Sequence, residues 1–157
     1  AAVYASPLER TRQTAKPIAA AVGHRVRTAK GLLECDFGEW TGRELRELMK
    51  LPEWQTVQRS PSTFRFPGGE SFVEMQARIG AEVERLVAAH RGERIVCVSH
   101  ADPIKAVVAQ AQGVHLDLFQ RIVISPCSLT PIVFAAGGPV VLATNSTGDD
   151  LSSLVPS

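Results

Sequence analysis

Apolar and polar positions along the chain follow two different periods, which predicts strands that alternate with helices. Short apolar runs over Ala2–Ala5 and Arg94–Ser99 predict strands buried in a sheet, and His24–Thr28 predicts a shorter, half-exposed strand. Apolar residues recur at three- and four-residue steps over Leu8–Val22 and, most regularly, over Glu70–Arg91, which predicts two amphipathic helices. The alternation predicts an α/β domain with a mostly parallel sheet.

Capping residues indicate where two of the helices begin. Ser71 followed by Glu74 fits the capping-box pattern at the start of the long helix. A further helix is predicted over Asp102–Gln112, with Asp102 as its N-terminal cap and Pro103 in the first turn, where proline is tolerated. The chain is therefore expected to pass directly from the preceding strand into this helix.

Two stretches in the first half of the chain predict loops. Gly31–Gly42 has neither period, and Thr41 is placed to cap a short helix over Arg43–Lys50. Ser60–Gly69 is the longest irregular stretch, and a loop of this length in a small domain often forms a lid or a binding element. The segment between Glu47 and Gly69 is therefore the part expected to select the substrate, which the sequence does not identify.

The C-terminal third of the chain is rich in short apolar runs. These runs cover Ile122–Ile124, Leu129–Ala135 and Val140–Ala143, and Gly137-Gly138 predicts a hairpin turn between the last two. The polar tail Asn145–Ser157 is expected to fray. We therefore expect a hairpin near the end of the domain.

Composition limits the class of protein. The 157 residues fit one domain over residues 1–157, and 45% hydrophobic with 21% charged residues is typical of a globular protein. A net charge of +1 argues against a general nucleic-acid-binding protein. No apolar run approaches the ~18–20 residues of a membrane span and no secretory signal is recognisable, so we expect a cytoplasmic protein with no membrane partner.

The cysteines predict neither a zinc site nor a disulfide framework. Cys35, Cys97 and Cys127 are odd in number and have no CxxC spacing, which is typical of reduced thiols. Cys97 lies within the apolar run Ile95–Val98 and is expected to be a small buried core residue. No metal-ligand spacing is present, so the sequence predicts no metal and no cofactor.

His100 stands where a predicted strand ends and the next helix begins. In open α/β sheets this edge binds ligands, and the start of a helix presents free N–H groups and the positive end of its dipole. A histidine beside such an anion site suits phosphate chemistry. The alternative is a histidine that only caps the helix or packs in the core, and the residues alone leave the two about evenly balanced.

Two further segments carry candidate chemistry. Arg10 falls in the first turn of a helix that follows a strand, where its forked donors suit a phosphate; the alternative is a solvated charge. Glu34 lies in a loop with Phe37 and Trp40, and a carboxyl group in a partly dry pocket acquires a raised pKa that suits a general acid. The alternative is that the aromatic residues attach the loop to the core while its acids are solvated.

Four motifs follow one another along the chain. They are Ser6-Pro-Leu-x-Arg10-x-x-Gln-Thr-Ala, Leu33-Glu34-x-x-Phe-Gly-x-Trp-x-Gly42, Pro67-Gly-Gly-Glu-Ser71 and Val98-Ser-His100. In this order and spacing they resemble the histidine phosphatase superfamily, in its phosphoglycerate mutase-like branch. The resemblance extends from Val3 to about Leu151 and implies a three-layer α/β/α sandwich with a mostly parallel sheet.

The resemblance also implies a role for each candidate residue. Arg10 matches the arginine that holds phosphate oxygens, and His100 matches the second histidine, which binds and stabilises the transferring phosphoryl group. The backbone N–H of Ala101 would add a donor. Glu34 matches the carboxyl group that protonates the leaving alcohol and later takes a proton from water. Fixed positive donors suit a moving phosphoryl group because its negative charge is spread over several oxygens.

The chain departs from the family at its first motif, Arg-His-Gly, which is absent. None of the four histidines, His24, His90, His100 and His115, is followed by glycine. We therefore expect the attacking histidine, the family's first strand and the helix after it to be missing from this chain, which would be an N-terminally incomplete and inactive domain. There are two interpretations, a longer native enzyme and a truly truncated protein. We favour the first, because the loss of a central strand leaves buried backbone N–H and C=O groups without hydrogen-bond partners.

Three functions follow from the resemblance. The first is a phosphate monoester hydrolase that acts through a phosphohistidine on a small phosphorylated substrate. A phosphomutase is the first alternative, although short connecting loops leave little room for a pocket sealed against water, which favours hydrolysis. The second alternative is a non-catalytic phosphate-binding protein, which the absent motif supports. A homodimer is compatible with the sequence, and no nucleic-acid partner is expected.

Overall fold

A parallel three-stranded sheet organises the fold. In the computed structural model, which describes residues 1–148, β1 (Ala2–Ala5) pairs with β2 (Val26–Thr28) on one side and with β3 (Ile95–Val98) on the other. Because the three strands are parallel, the residues that follow them meet at one edge of the sheet. The helices are α1 (Glu9–Ala21), α2 (Leu45–Leu48), α3 (Trp54–Arg59), α4 (Phe72–Ala89) and α5 (Ala101–Ala111).

Alternate residues of β1 pack against helices on opposite faces of the sheet. Ala2 and Tyr4 belong to the larger core with apolar residues of α4 and α5, whereas Val3 and Ala5 pack in a smaller core with alanines of α1. Every residue of β1 is buried, as expected for a strand covered on both faces. The predicted three-layer α/β/α sandwich with a parallel sheet is therefore confirmed.

The long helix α4 forms where the sequence predicts it. Ser71 and Glu74 form the predicted capping box, in which the Ser71 hydroxyl accepts from the Glu74 N–H and the Glu74 carboxylate accepts from the Ser71 N–H. Met75, Ile79 and Leu86 are buried along the face that packs in the larger core. A local capping signal and a regular apolar stripe are sufficient to define this helix.

Helices α2 and α5 begin differently from the prediction. His100, not Asp102, occupies the N-cap position of α5, which begins at Ala101. The short helix α2 follows Glu44, no side chain caps it, and Thr41 lies outside it. Both helices therefore begin without the predicted side-chain caps.

Strand β3 is less buried than its apolar run predicts. Its residues are only partly buried, and Cys97 is exposed, so the prediction of a buried Cys97 is wrong. The reason is position: among the described residues β3 pairs with β1 alone and lies at the edge of the sheet. An apolar run does not distinguish an edge strand from a central one.

The C-terminal part contains the hairpin that the sequence predicts. β4 (Ile132–Ala135) and β5 (Gly138–Val141) form an antiparallel pair around the predicted turn, whereas Ile122–Ile124 is not a strand. Leu129 and Ser146 exchange backbone hydrogen bonds of 2.8 and 2.9 Å, so the start of the predicted fraying tail is attached. The rest of that tail, from residue 149 onward, lies outside the described residues, as does the predicted limit at Leu151.

The long irregular stretch over Ser60–Gly69 is anchored to the core. Phe64 and Phe66 are buried and contact Trp40 and Phe72 in an aromatic cluster. Trp40 is thus a packing residue. Within the described part of the chain, none of the helices has both the length and the apolar character needed to cross a membrane.

Candidate active site

The carboxyl edge of the sheet brings two distant segments together. Ser6 follows β1 and His100 follows β3 by one residue, and the Ser6 N–H donates to the Val98 carbonyl at 3.0 Å. Arg10 lies in the first turn of α1, directly beyond Ser6. Residues 94 positions apart in the sequence therefore share one site.

Arg10 and Glu34 converge on a single ring nitrogen of His100. The Arg10 Nη2 lies 3.0 Å from the His100 Nδ1, and the Glu34 Oε2 lies 3.9 Å from the same Nδ1. His100 is almost fully buried, whereas Arg10 is exposed and Glu34 is one-fifth exposed through its side chain. The structure therefore brings together the three side chains that the sequence singled out.

Hydrogen bonding defines the tautomer of His100. Arginine only donates, so the Nδ1 that faces Arg10 accepts, and the ring proton lies on Nε2. Nε2 then donates to the Ser6 Oγ at 2.8 Å. Ser6 in turn donates to the Thr11 Oγ1 at 3.0 Å, and Thr11 donates to the Leu8 carbonyl at 2.8 Å. The network is complete, and it directs Nδ1 toward the site.

The imidazole of His100 is neutral at physiological pH. Burial, followed by the positive charges of Arg10 and Arg78, lowers the pKa of His100 to about 4. The ring therefore presents an unprotonated Nδ1 to the site in the ligand-free protein.

The pKa of Glu34 is shifted in the opposite direction. Burial, followed by the negative charge of Asp102, raises the pKa of Glu34 to about 7, although Arg10 and the Cys35 N–H oppose the rise. Oε1 accepts a hydrogen bond from the Cys35 N–H at 3.0 Å, which leaves Oε2 facing His100. A carboxyl group that keeps its proton near neutral pH can serve as a general acid.

Ala101 supplies backbone donors at the start of a helix. It is the first residue of α5, which follows His100 directly, and the first N–H groups of a helix have no partner within it. The positive end of the helix dipole therefore lies beside His100, where it favours an anion.

Three residues that position the site were not predicted to do so. Ser6 and Thr11 are buried and hold the His100 ring, although Thr11 has the sequence position of an ordinary first-turn residue. Arg78, on α4, donates to the carbonyls of Leu33 and Glu34. The signal for Ser6 was its place directly after a strand; for Arg78 no local signal exists.

The other three histidines follow helices rather than strands of the sheet. His24 follows the far end of α1, His90 lies between α4 and the start of β3, and His115 follows the far end of α5. His90 contacts the Tyr4 hydroxyl at 3.0 Å and Glu93 at 2.7 Å, and His115 accepts from the Asp117 N–H. In the part of the chain described, residues 1–148, no three His, Cys, Asp or Glu are grouped to hold a metal ion.

The Glu34→Gln variant should become relatively more stable as the pH rises. Because the folded pKa of about 7 exceeds the unfolded value of 4.5, the wild-type carboxyl favours folding below pH 4.5, and this contribution is lost as the pH rises through 7. We expect an advantage of up to about 3 kcal/mol for the glutamine variant at pH 8 over its value at pH 4.5. Urea unfolding at several pH values measures it.

The matched control is Glu39→Gln, which changes an exposed acid on the same loop. It should follow the wild-type pH dependence. Equal pH dependence of Glu34→Gln and wild type would contradict the raised pKa of Glu34.

Together, the fold and these side chains are those of an α/β protein with a candidate anion site at the carboxyl edge of its sheet. The model of the histidine phosphatase superfamily (branch 1) matches residues 1–147. The chain belongs to that superfamily, as the four motifs indicate.

Two sequence relatives illustrate the similarity. Phosphoserine phosphatase 1 of Hydrogenobacter thermophilus is 32% identical over 147 residues, which cover 92% of this chain and 70% of that protein. A bifunctional protein of Mycobacterium tuberculosis is 32% identical over 150 residues, which cover 94% of this chain. The chain spans 41% of the length of that mycobacterial relative.

Two solved structures have the same fold. A phosphoserine phosphatase mutant from Entamoeba histolytica, in complex with phosphoserine, is 25% identical with a TM-score of 0.82, over 93% of this chain and 74% of that one. YhfR of Bacillus stearothermophilus is 23% identical with a TM-score of 0.87, over 94% of this chain and 75% of that one.

Proposed function

We propose that the protein hydrolyses small phosphate monoesters through a phosphohistidine intermediate. The observation that carries the proposal is the convergence of Arg10 and Glu34 on the Nδ1 of His100 at the N-terminus of α5. A cation and a helix N-terminus stabilise the charge of a transferring phosphoryl group, and a protonated carboxyl group can protonate the leaving oxygen. The similarity to phosphoserine phosphatases supports a small phosphorylated substrate.

Arg10, His100 and the Ala101 N–H would hold the phosphoryl group. The guanidinium of Arg10 presents forked donors suited to phosphate oxygens, and it keeps its charge at every relevant pH. A bound dianion raises the pKa of His100, so Nδ1 would take up a proton and donate a hydrogen bond to the phosphoryl group while Nε2 keeps its bond to Ser6.

Glu34 would act as the acid and then as the base. As a histidine nitrogen attacks phosphorus, the bond from phosphorus to the ester oxygen breaks, and that oxygen takes the proton of Glu34. The carboxylate then accepts a proton from water, whose oxygen attacks the phosphohistidine and breaks the phosphorus–nitrogen bond. Inorganic phosphate and an alcohol leave, and both Glu34 and the histidine return to their starting forms.

The attacking histidine is, in this proposal, none of the four in the sequence. His24 and His90 precede β2 and β3 at the far edge of the sheet, and His115 follows the far end of α5. The ring of His100 is fixed between Ser6 and Arg10. We therefore expect the 157-residue chain alone to bind phosphate without turning over an ester, and the full-length natural protein to carry the activity.

Solvent access favours hydrolysis over transfer to a second hydroxyl group. The side chain of Glu34 is 20% exposed, so water reaches the carboxylate. In the proposed mechanism this carboxylate activates the water. A mutase instead has to exclude water from the phosphoenzyme.

A labelling experiment tests the proposal. The full-length natural protein is mixed with a ³²P-labelled alkyl phosphate and quenched within the first turnover. We expect an acid-labile, base-stable label on a histidine outside residues 1–157, and release of inorganic phosphate.

Each other outcome counts against a stated part of the proposal. Label on His100 would make that residue the nucleophile, and label passed to a second hydroxyl would identify a mutase. The absence of both label and turnover would favour a phosphate-binding protein.

A further inference from the structure

Arg78 uses every donor of its guanidinium group. Nε and Nη2 donate to the two carboxylate oxygens of Glu70, each at 2.8 Å. Nη1 donates to the carbonyls of Gly31 and Leu33 at 2.9 and 3.0 Å, and Nη2 donates to the carbonyl of Glu34 at 3.2 Å. A guanidinium has five N–H donors, and all five are engaged here.

These bonds connect a rigid helix to the loop that carries the candidate acid. Arg78 lies in the 18-residue helix α4, which begins with a complete capping box, and its three carbonyl partners fall within four consecutive residues that end at Glu34. The side chain of Arg78 is 27% exposed, so these charge-assisted bonds form in a partly dry setting.

Glu70 extends the same connection past Glu34. Its carboxylate accepts from the Asp36 N–H at 3.3 Å, and its own N–H donates to the Asp36 carbonyl at 2.9 Å. The loop is therefore held on both sides of Glu34, by Arg78 before it and by Glu70 after it.

We propose that Arg78 is a positioning residue for the proton transfer from Glu34. This inference rests on the proposed function, in which Glu34 protonates the leaving oxygen. General acid catalysis requires the donor within hydrogen-bond distance of that oxygen, and displacement by about 1 Å costs on the order of 10²-fold in rate. Arg78 acts through the loop and does not itself touch the phosphoryl group.

The test compares leaving groups in the full-length natural protein. Lysine keeps the charge of Arg78 but not its five-donor geometry. For Arg78→Lys we expect kcat/KM for an alkyl phosphate, which reports the transfer to the enzyme and not the later attack of water, to fall by about 10- to 100-fold, because its alcohol leaves only when protonated. For p-nitrophenyl phosphate, whose leaving group needs no proton, we expect a change of less than about 3-fold.

Two variants serve as references. Arg85→Lys changes another arginine of α4, which is 57% exposed and pairs with Glu82 on the same helix, and it should leave both substrates unaffected. Glu34→Gln should show the leaving-group selectivity in full in kcat/KM, because its second role, toward water, follows the departure of either leaving group. Glu70→Gln weakens the connection from its other end and should show the same selectivity as Arg78→Lys in smaller measure.

The outcomes separate this inference from the proposed function. If Glu34→Gln affects both substrates equally, Glu34 is not the acid and the proposed function fails in that step. If Glu34→Gln is selective while Arg78→Lys affects both substrates equally or neither, only the inference about Arg78 is wrong. Should Arg78→Lys not fold, Glu70→Gln decides; if neither variant folds, the connection serves stability and the inference is also wrong.

Discussion

Replacing His100 by alanine should lower kcat for an alkyl phosphate by about 10³-fold in the full-length natural protein. The ring of His100 is fixed by the bond from Nε2 to Ser6, so Nδ1 stands where Arg10 and Glu34 converge. A ring that is fixed before the reaction costs no reorganisation in the transition state, and its loss is correspondingly large. Steady-state kinetics with the alkyl phosphate measure the effect.

A binding measurement checks the same assignment without turnover. Sulfate remains a dianion at pH 6, where Glu34, with a pKa of about 7, is mostly protonated and His100, with a pKa of about 4, is neutral. Binding of sulfate to the wild type should therefore take up about one proton, and binding to His100→Ala close to none. Titration calorimetry in buffers of different ionisation enthalpy gives the number of protons.

The control for both measurements is His115→Ala, since His115 is exposed and lies beyond the far end of α5. It should retain wild-type turnover and proton uptake. Retained turnover in a folded His100→Ala variant would remove His100 from the mechanism, and sulfate binding without proton uptake in the wild type would remove its proposed change of protonation state.

The elements predicted correctly are those with local signals. The capping box and the apolar stripe of α4 lie within one stretch of chain, and each determines its structure without reference to the rest of the fold. The burial of β3 depends instead on which strands pair beside it, and that information is absent from Ile95–Val98 itself. The exposed Cys97 follows from this difference.

The candidate site likewise contains residues that the sequence predicts and residues that it does not. Arg10, Glu34 and His100 are recognisable because each stands in a motif, and the structure brings the three together. The residues that orient them act over long distances in the sequence: Arg78 contacts a carbonyl 47 positions earlier, and Ser6 contacts a ring 94 positions later. No periodicity or capping rule reports such contacts.

Burial reverses the usual order of the pKa values of Glu34 and His100, so that the carboxyl group has the higher one. The pKa of Glu34 is about 7 and that of His100 is about 4, so near pH 6 both side chains are mostly uncharged. They therefore form no ion pair there, and neither neutralises Arg10. The positive charge of Arg10 is left to attract a phosphate dianion.

Arg10→Met should therefore lower kcat/KM for an alkyl phosphate by about 10³-fold or more in the full-length natural protein, since an arginine on a transferring phosphoryl group carries an effect of this size. Arg10→Lys should recover only part of the loss, because an ammonium group keeps the charge but lacks the planar fork that contacts His100 and that would, in the proposed function, hold phosphate oxygens as well. Steady-state kinetics on both variants provide the measurement.

The same variants test whether the positive charge of Arg10 acts on His100. Because the positive charge of Arg10 lowers the pKa of His100, Arg10→Met should raise that pKa, and Arg10→Lys should raise it less; ¹⁵N NMR of the imidazole follows the titration. Arg12→Met is the matched control, since Arg12 is exposed two residues further along α1, and it should change neither quantity. If Arg10→Met behaved like Arg12→Met in both measurements, Arg10 would be the solvated first-turn charge of the alternative interpretation, and the phosphate site would lose its cation.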